Sequence, residues 1–167
     1  MILVFTLHRQ SLVFSTSLPD RRPLDRMMRR FQRRNSPLVL AAIFEGKVVG
    51  DFQLTITSPE HGQGEVGFSF NPRYGGRGLA TRALAAVLGF GFVQLGLHRI
   101  TAATFVENER AWRLMERVGM RREAHFIHDG FVRGRWVDVF GYAILADEWG
   151  RHHPDLAAVV SLEGRSS

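Results

Sequence analysis

Apolar positions in this chain come first in short strand-length blocks and later, after a glycine-rich turn, at helical spacing. Leu38 to Phe44 is an apolar run of strand length, and Glu45-Gly46-Lys47 is a hairpin-sized turn. Val48 to Thr57 places Val49, Phe52, Leu54 and Ile56 in a mostly alternating pattern, which predicts a second strand. Ser58 to Gly62 reads as a loop, and Gly64 to Phe70 as the next strand. Leu79 to Leu95 carries Leu84, Val87, Leu88, Phe92 and Leu95 on one face and predicts a helix. Gly89 and Gly91 weaken that helix, which suggests a backbone packed closely against the sheet. Gly96 is its natural stop. Arg99 to Val106 is strand-like, Asn108 to Val118 is a second helix, and Gly119 sits where a left-handed C-cap belongs. Met120 to Ile127 and Phe131 to Leu145 read as strands joined through His128-Asp129-Gly130, with Asp-Gly as the hairpin signal.

Upstream, Met1 to Leu7 and Leu12 to Ser17 are short β-like runs. Leu24, Met27, Met28 and Phe31 form an apolar stripe among Arg21, Arg22, Arg26, Arg29, Arg30, Arg33 and Arg34. That is an amphipathic helix, capped by Asp20 with Pro23 in its first turn, and its arginines read first as a solvated face. The tail from Arg151 to Ser167 has little pattern. The chain therefore divides into residues 1–37, a core over 38–149 and a tail over 150–167. The order of elements argues for a single α+β domain. Its centre is a twisted, mixed, mostly antiparallel sheet flanked by helices.

Composition narrows the classes. A length of 167 residues suits one domain with a real core. The absence of cysteine excludes disulfides, thiolate metal sites and a cysteine nucleophile. The net charge of +6 comes almost wholly from arginine, Lys47 being the single lysine. Such a balance suits a polyanionic ligand. Nucleic acid is not the expected partner, since no recognition module accompanies the charge. No apolar run has the length of a membrane span and Met1 to Leu7 lacks the features of a secretory leader, so the expected compartment is the cytoplasm. His8, His61, His98, His125, His128, His152 and His153 are scattered without metal-ligand spacing, so no metal is expected. No G-x-S-x-G elbow marks a serine hydrolase.

The strongest chemical signal is Asn71-Pro72-Arg73-Tyr74-Gly75-Gly76-Arg77-Gly78-Leu79-Ala80-Thr81, a glycine-rich turn between a strand and a helix. Such a turn aims backbone N–H groups and the positive end of a helix dipole at one point, where phosphate binds. The spacing is neither the nucleoside-triphosphate loop nor the dinucleotide fingerprint. It resembles the pyrophosphate loop of the GNAT superfamily of acetyl-coenzyme A-dependent N-acetyltransferases. Two further stretches carry the resemblance, from about Leu38 to Trp149. One is Leu97-His98-Arg99-Ile100 followed by the helix from Asn108 through Gly119-Met120. The other is Gly134 to Ala143, similar to the terminal strand of the RimJ/RimL-like branch, ribosomal-protein N-terminal acetyltransferases and their kin.

The resemblance implies acetyl transfer from acetyl-CoA to a primary amine by direct attack. The acceptor is either a protein N-terminus or a small amine. It makes residues 38–149 the acetyl-CoA-binding core, needs no metal, and makes a homodimer a common arrangement. Tyr74 through Thr81 can supply amides to the pyrophosphate, with Gly75, Gly76 and Gly78 allowing close approach and Arg73 and Arg77 adding charge. Phe68, Ser69 and Phe70 offer a backbone edge to the pantetheine amides. A backbone N–H of the same strand is the oxyanion donor. Asn108 either caps its helix or hydrogen-bonds the pantetheine, and Arg113 either reaches the cofactor or makes a surface ion pair. Glu65, just before the cofactor strand, is the first candidate for the base, with Asp129 and Asp138 behind it. The tyrosine that many members place seven residues after the helix-start Asn is Met115 here. The serine common in the branch three residues after it is Ala111. Tyr142 is a proton donor by chemistry alone. These departures, with a segment before Leu38 that shows one persuasive helix where the family has two, motivate an alternative: a non-catalytic acyl-CoA-binding module.

Overall fold

The computed structural model describes residues 2–7, 12–15 and 37–156, the first two segments as backbone strands. The arginine-rich helix predicted over Arg21–Arg34 lies outside the described residues, as does the tail beyond 156. The strands are β1 (Ile2–Leu7), β2 (Leu12–Ser15), β3 (Leu38–Phe44), β4 (Lys47–Ser58), β5 (Gln63–Phe70), β6 (Arg99–Phe105), β7 (Arg121–Val132) and β8 (Arg135–Leu145). They form one eight-stranded sheet in the order β2-β1-β3-β4-β5-β6-β8-β7. Pairing is antiparallel except at β1–β3 and β5–β6. The fold is therefore α+β around a mixed, mostly antiparallel sheet.

Helix α1 (Leu79–Gly89) continues into a π-helical turn over Phe90–Gln94. Its apolar face buries Ala83, Leu84, Val87 and Leu88 against the core side of the sheet, where Phe52, Leu54, Val66 and Ile100 converge. Periodicity predicted one helix to Leu95; the structure widens its last turn over Phe90–Gln94, which includes Gly91. A Cβ on Gly91 would lie 2.7 Å from Ile100 Cδ1, so this glycine lets the backbone approach the sheet. A Cβ on Gly89 would meet Trp149 Cζ2 at 2.4 Å instead, so that glycine accommodates a helix rather than a strand. Trp149 belongs to α3 (Ala146–His152), is buried, and donates its indole N–H to Ala85 O at 3.0 Å. Helix α2 (Glu109–Arg117) follows β6 and ends at Gly119, whose φ of 89° confirms the left-handed stop.

The last hairpin corrects the sequence expectation. The turn is Arg133-Gly134, not His128-Asp129-Gly130: Val132 pairs with Arg135, and Arg133 and Gly134 have φ of 50° and 81°. Two successive positive φ angles match the right-handed twist of a hairpin. His128 to Gly130 is instead a bulge inside β7, where the register shifts between Phe126 and Gly130. Asp138 of β8 holds that bulge, accepting from His128 N at 2.9 Å and pairing with His125 Nε2 at 2.8 Å. Those contacts, the backbone N–H of His128 foremost, depress the Asp138 pKa. Asp138 thus pins the bulge to the neighbouring strand.

Candidate functional site

β5 and β6 run side by side for a short distance only. Gln63 pairs with Arg99, Gly64 with Ile100 and Glu65 with Thr101; then the strands part. β5 continues to Phe70 and β6 to Phe105 without further pairing between them. The segment Val66 to Phe70 keeps β4 on one side and, among the described residues, leaves its other backbone edge open. In a sheet interior this is costly unless something pairs with the exposed amides and carbonyls.

An open cleft of about 1060 Å³ occupies the space between the end of β5, the glycine turn and α2. Phe68, Ser69 and Phe70 line it from the strand, and Tyr74, Gly75, Gly76 and Gly78 from the turn. Leu79, Ala80 and Thr81 line it from the first turn of α1, and Asn108 and Arg113 from α2. Side chains far apart in the sequence are thus brought to one cavity. Arg73 and Arg77 do not join them; Arg77 instead borders a separate, smaller cavity with Phe44 and Arg82.

The turn's amides divide into two sets. Pro72–Tyr74 is a single 3-10 turn, opened by Asn71, whose Oδ1 accepts from Arg73 N at 3.0 Å. Tyr74 N donates to Asn71 O and Gly75 N to Pro72 O, so these two amides are engaged locally, against the expectation that the donor set starts at Tyr74. The amides from Gly76 to Thr81 find no backbone acceptor among the described residues. Gly76 and Gly78 have φ of 75° and 70°, conformations a β-carbon disfavours, and nothing lies within 4 Å of where that carbon would be. Gly78 is the N-cap of α1 and supplies no side-chain acceptor, so the first-turn N–H groups of α1 face the cleft unsatisfied. Such an array attracts an anion with several oxygens.

Asn108 and Arg113 make local contacts and also line the cleft. Asn108 lines the cleft and its Oδ1 accepts from Ala111 N at a long 3.4 Å. Arg113 lines the cleft while its guanidinium meets Glu109 at 2.6 Å, an exposed pair of small worth. Two more cleft arginines escaped the sequence reading, Arg110 and Arg117. Their signal was present as Arg110-x-x-Arg113-x-x-x-Arg117, one stripe of a helix. Arg117 Nε reaches Thr81 Oγ1 at 3.4 Å and so bridges the two helices that wall the cleft.

Glu65 is exposed and does not line this cleft. It occupies the last shared rung of β5 and β6, the vertex of the fork, opposite Thr101. Gly64 and Val66 beside it are buried, so Glu65 faces the side of the sheet away from α1. It makes no hydrogen bond or ion pair among the described residues. Met115 is buried in the core and Ala111 is a cleft residue without a hydroxyl. Tyr142 is buried too, its hydroxyl donating to Glu116 Oε1 at 2.9 Å, and it does not line the cleft. Among the described residues no cluster of His, Asp and Glu could hold a metal ion. No helix among them is long and apolar enough to cross a membrane.

Comparison with known proteins agrees with this geometry. The chain is 42% identical over 85 residues to the uncharacterized N-acetyltransferase YnaD of Bacillus subtilis, covering 51% of this chain and 50% of that protein. It is 27% identical over 109 residues to spermidine N(1)-acetyltransferase of Escherichia coli K12, covering 65% of this chain and 59% of that protein. The chain thus spans between half and three fifths of the length of these curated relatives. Mycobacterium smegmatis RimJ in complex with CoA-disulfide superposes with a TM-score of 0.67 at 27% identity, covering 86% of this chain and 68% of that one. Residues 7–121 match the acetyltransferase (GNAT) domain, and the chain belongs to that family, with relatives in keeping with a RimJ-like branch.

Proposed function

We propose that this protein is an acetyl-CoA-dependent N-acetyltransferase acting on a primary amine. The observation that carries the reading is the row of unengaged amides from Gly76 to Thr81, opening onto the same cleft as the unpaired edge of β5. Coenzyme A is complementary to both parts. Its pyrophosphate takes convergent N–H donors, and its pantetheine amides extend a sheet as a short peptide would. That a RimJ structure in the family was solved with CoA-disulfide supports this assignment. Arg110, Arg113 and Arg117 add positive charge along the cleft wall.

The acyl carbon would then lie near the fork, between the cleft and the face that bears Glu65. The neutral amine attacks the thioester carbonyl, a C–N bond forms, and the C–S bond breaks to release the thiolate. A backbone N–H of Phe68 to Phe70 holds the developing oxyanion. Glu65 takes the amine's proton, directly or through water. This matters most for an aliphatic amine, whose pKa stands near 10.4. The thiolate draws its proton from solvent. Met115 and Ala111 offer none, which is also what favours the second reading, a module that binds the thioester without turnover.

One experiment separates the two. Free-thiol release from acetyl-CoA is measured across a panel of amines and peptides, with calorimetric CoA titration in parallel. The transferase reading expects release with at least one acceptor. Saturable CoA binding without release to any acceptor leaves the binding module. Gly76→Glu puts a carboxylate and a strained β-carbon into the nest and should weaken CoA by tenfold or more, an order of magnitude set by the loss of one charge-assisted contact. Unchanged affinity would remove the pyrophosphate from this turn.

A further inference from the structure

We propose that Arg110, Arg113 and Arg117 of α2 form a second anion subsite in the cleft, one that takes a phosphate monoester. In the donor this group is the 3′-phosphate of the adenosine, so the cleft distinguishes coenzyme A from its 3′-dephospho form. The subsite rests on the assignment of coenzyme A to this cleft, and it holds for the transferase and for the binding module alike.

The charges of the cleft do not balance on the diphosphate alone. The free amides from Gly76 to Thr81 meet a diphosphate with one negative charge on each phosphorus, and amides carry no net charge. The charged side chains that line the same cleft are Arg110, Arg113 and Arg117 against a single carboxylate, Glu109. Three cations against one anion leave a surplus on one wall. A phosphate monoester carries about −1.5 to −2 at neutral pH and presents three acceptor oxygens. It matches that wall in sign, in charge and in its demand for several N–H donors.

The arginines form a stripe that α2 itself relieves poorly. Their spacings of three and four residues set neighbouring Cβ atoms about 5–6 Å apart, where like charges destabilise a helix. Only the middle arginine has a carboxylate partner. Arg113 meets Glu109 at 2.6 Å, an exposed pair, and lies 5.5 Å from the centre of the Trp112 ring. The Arg110 guanidinium makes no hydrogen bond or ion pair among the described residues. Arg117 commits Nε to Thr81 Oγ1 at 3.4 Å and leaves its two terminal nitrogens without a partner among them. An anion in the cleft relieves this repulsion, which links the stripe to a ligand rather than to the helix.

Placement agrees with charge. Thr81 ends the run of free amides, so Arg117 touches the edge of the diphosphate nest. Arg113 and Arg110 continue the same wall, one and two turns of α2 away. In coenzyme A a single ribose separates the diphosphate from the 3′-phosphate, a gap that long arginine stems cover. Leu114 and Met115 are buried in the core and hold α2 in place beneath the stripe. Arg77 and Arg82 border the separate smaller cavity and are not part of this wall.

The test is calorimetric titration with CoA and with 3′-dephospho-CoA, in the natural protein and in variants. The natural protein should bind CoA about tenfold more tightly or better, the scale of one charge-assisted hydrogen bond. A triple variant carrying Arg110→Gln, Arg113→Gln and Arg117→Gln should bring the two dissociation constants within about twofold of each other. Each single substitution should shrink the ratio, and the singles carry the test if the triple variant does not fold. Glu109→Gln removes the carboxylate and frees Arg113, so it should raise the ratio. Arg82→Gln removes the same charge outside this cleft and should keep the natural ratio, which separates local recognition from the general attraction of a +6 chain for polyanions. Equal affinity of the natural protein for the two ligands overturns the subsite and leaves coenzyme A in the nest. So does a ratio that survives loss of the arginines, or one that falls as far with Arg82→Gln. Failure of both ligands to bind the natural protein overturns the assignment of coenzyme A itself.

Discussion

Glu65 and Tyr142 carry the two ionisable groups whose surroundings differ most usefully. Glu65 stands exposed at the vertex of the fork, outside the cleft and without a hydrogen-bond or ion-pair partner among the described residues. Glu65→Gln should reduce kcat by about a hundredfold or more, the usual reach of general-base catalysis. CoA affinity should not move, since Glu65 does not line the cleft. A variant with natural rates at every pH would end the base assignment. Tyr142 is pushed up to about 12 by burial first and then by its bond to Glu116. The neutral phenol is thus the form the folded protein prefers. Its contribution to stability is complete below the ordinary value of 10.0 and is lost as pH rises through about 12. Tyr142→Phe should cost about 1 kcal/mol at neutral pH, the net worth of a hydrogen bond. Urea midpoints of that variant should fall less steeply than those of the natural protein between these two pH values.

At the scale of elements, the site depends on how helices seat on the sheet. α1 must present its N-terminus to the cleft, and its C-terminal end is pinned where Gly89 meets the Trp149 ring and where Trp149 bonds Ala85. Gly89→Ala removes a helix-weakening glycine yet puts a methyl 2.4 Å from Trp149 Cζ2. Overpacking outweighs propensity: about 1–3 kcal/mol lost against about 1 gained in a helix interior. The expected result is a lower melting temperature, read by calorimetry; a rise would show that α3 yields freely. On the other side of the fork, β8 carries both the stabilising contacts of Asp138 and the alternation that sets Val139 between Phe105 and Phe126. The bulge in β7 thereby seats the Phe105 ring, since Gly130 lies within it.

The whole molecule is a sheet divided at one seam. Strands β2 to β5 form one side and β6, β8 and β7 the other, joined by the short pairing that ends at Glu65. A ligand that enters the seam bonds the native state and not the unfolded chain, so it stabilises by mass action. At CoA one hundred times its dissociation constant this amounts to about 2.7 kcal/mol, or about 5–10 °C in melting temperature for a domain of this size. Gly76→Glu should abolish the shift at the same concentration. The shift should also shrink as salt rises, because part of the attraction is between a +6 protein and a polyanion.

The sequence alone determined the elements whose cause is local. Strand β3 has the predicted bounds because apolar runs and a two-residue turn state them directly, and Asn108 and Gly119 mark the ends of α2 because capping chemistry is read within a few residues. The glycine turn was legible for the same reason: Gly76 and Gly78 need backbone conformations that few other residues adopt. The hairpin turn was misread because Asp129-Gly130 and Arg133-Gly134 are both plausible turns by composition; pairing with β8 decided between them. Tertiary structure also decided which amides of the turn remain free, which arginines reach the cleft, and that Glu65, Phe105 and Phe126 share a face. Local propensity acts over a few bonds, whereas strand register is fixed only when distant segments bury their apolar faces together. No single segment contains that information.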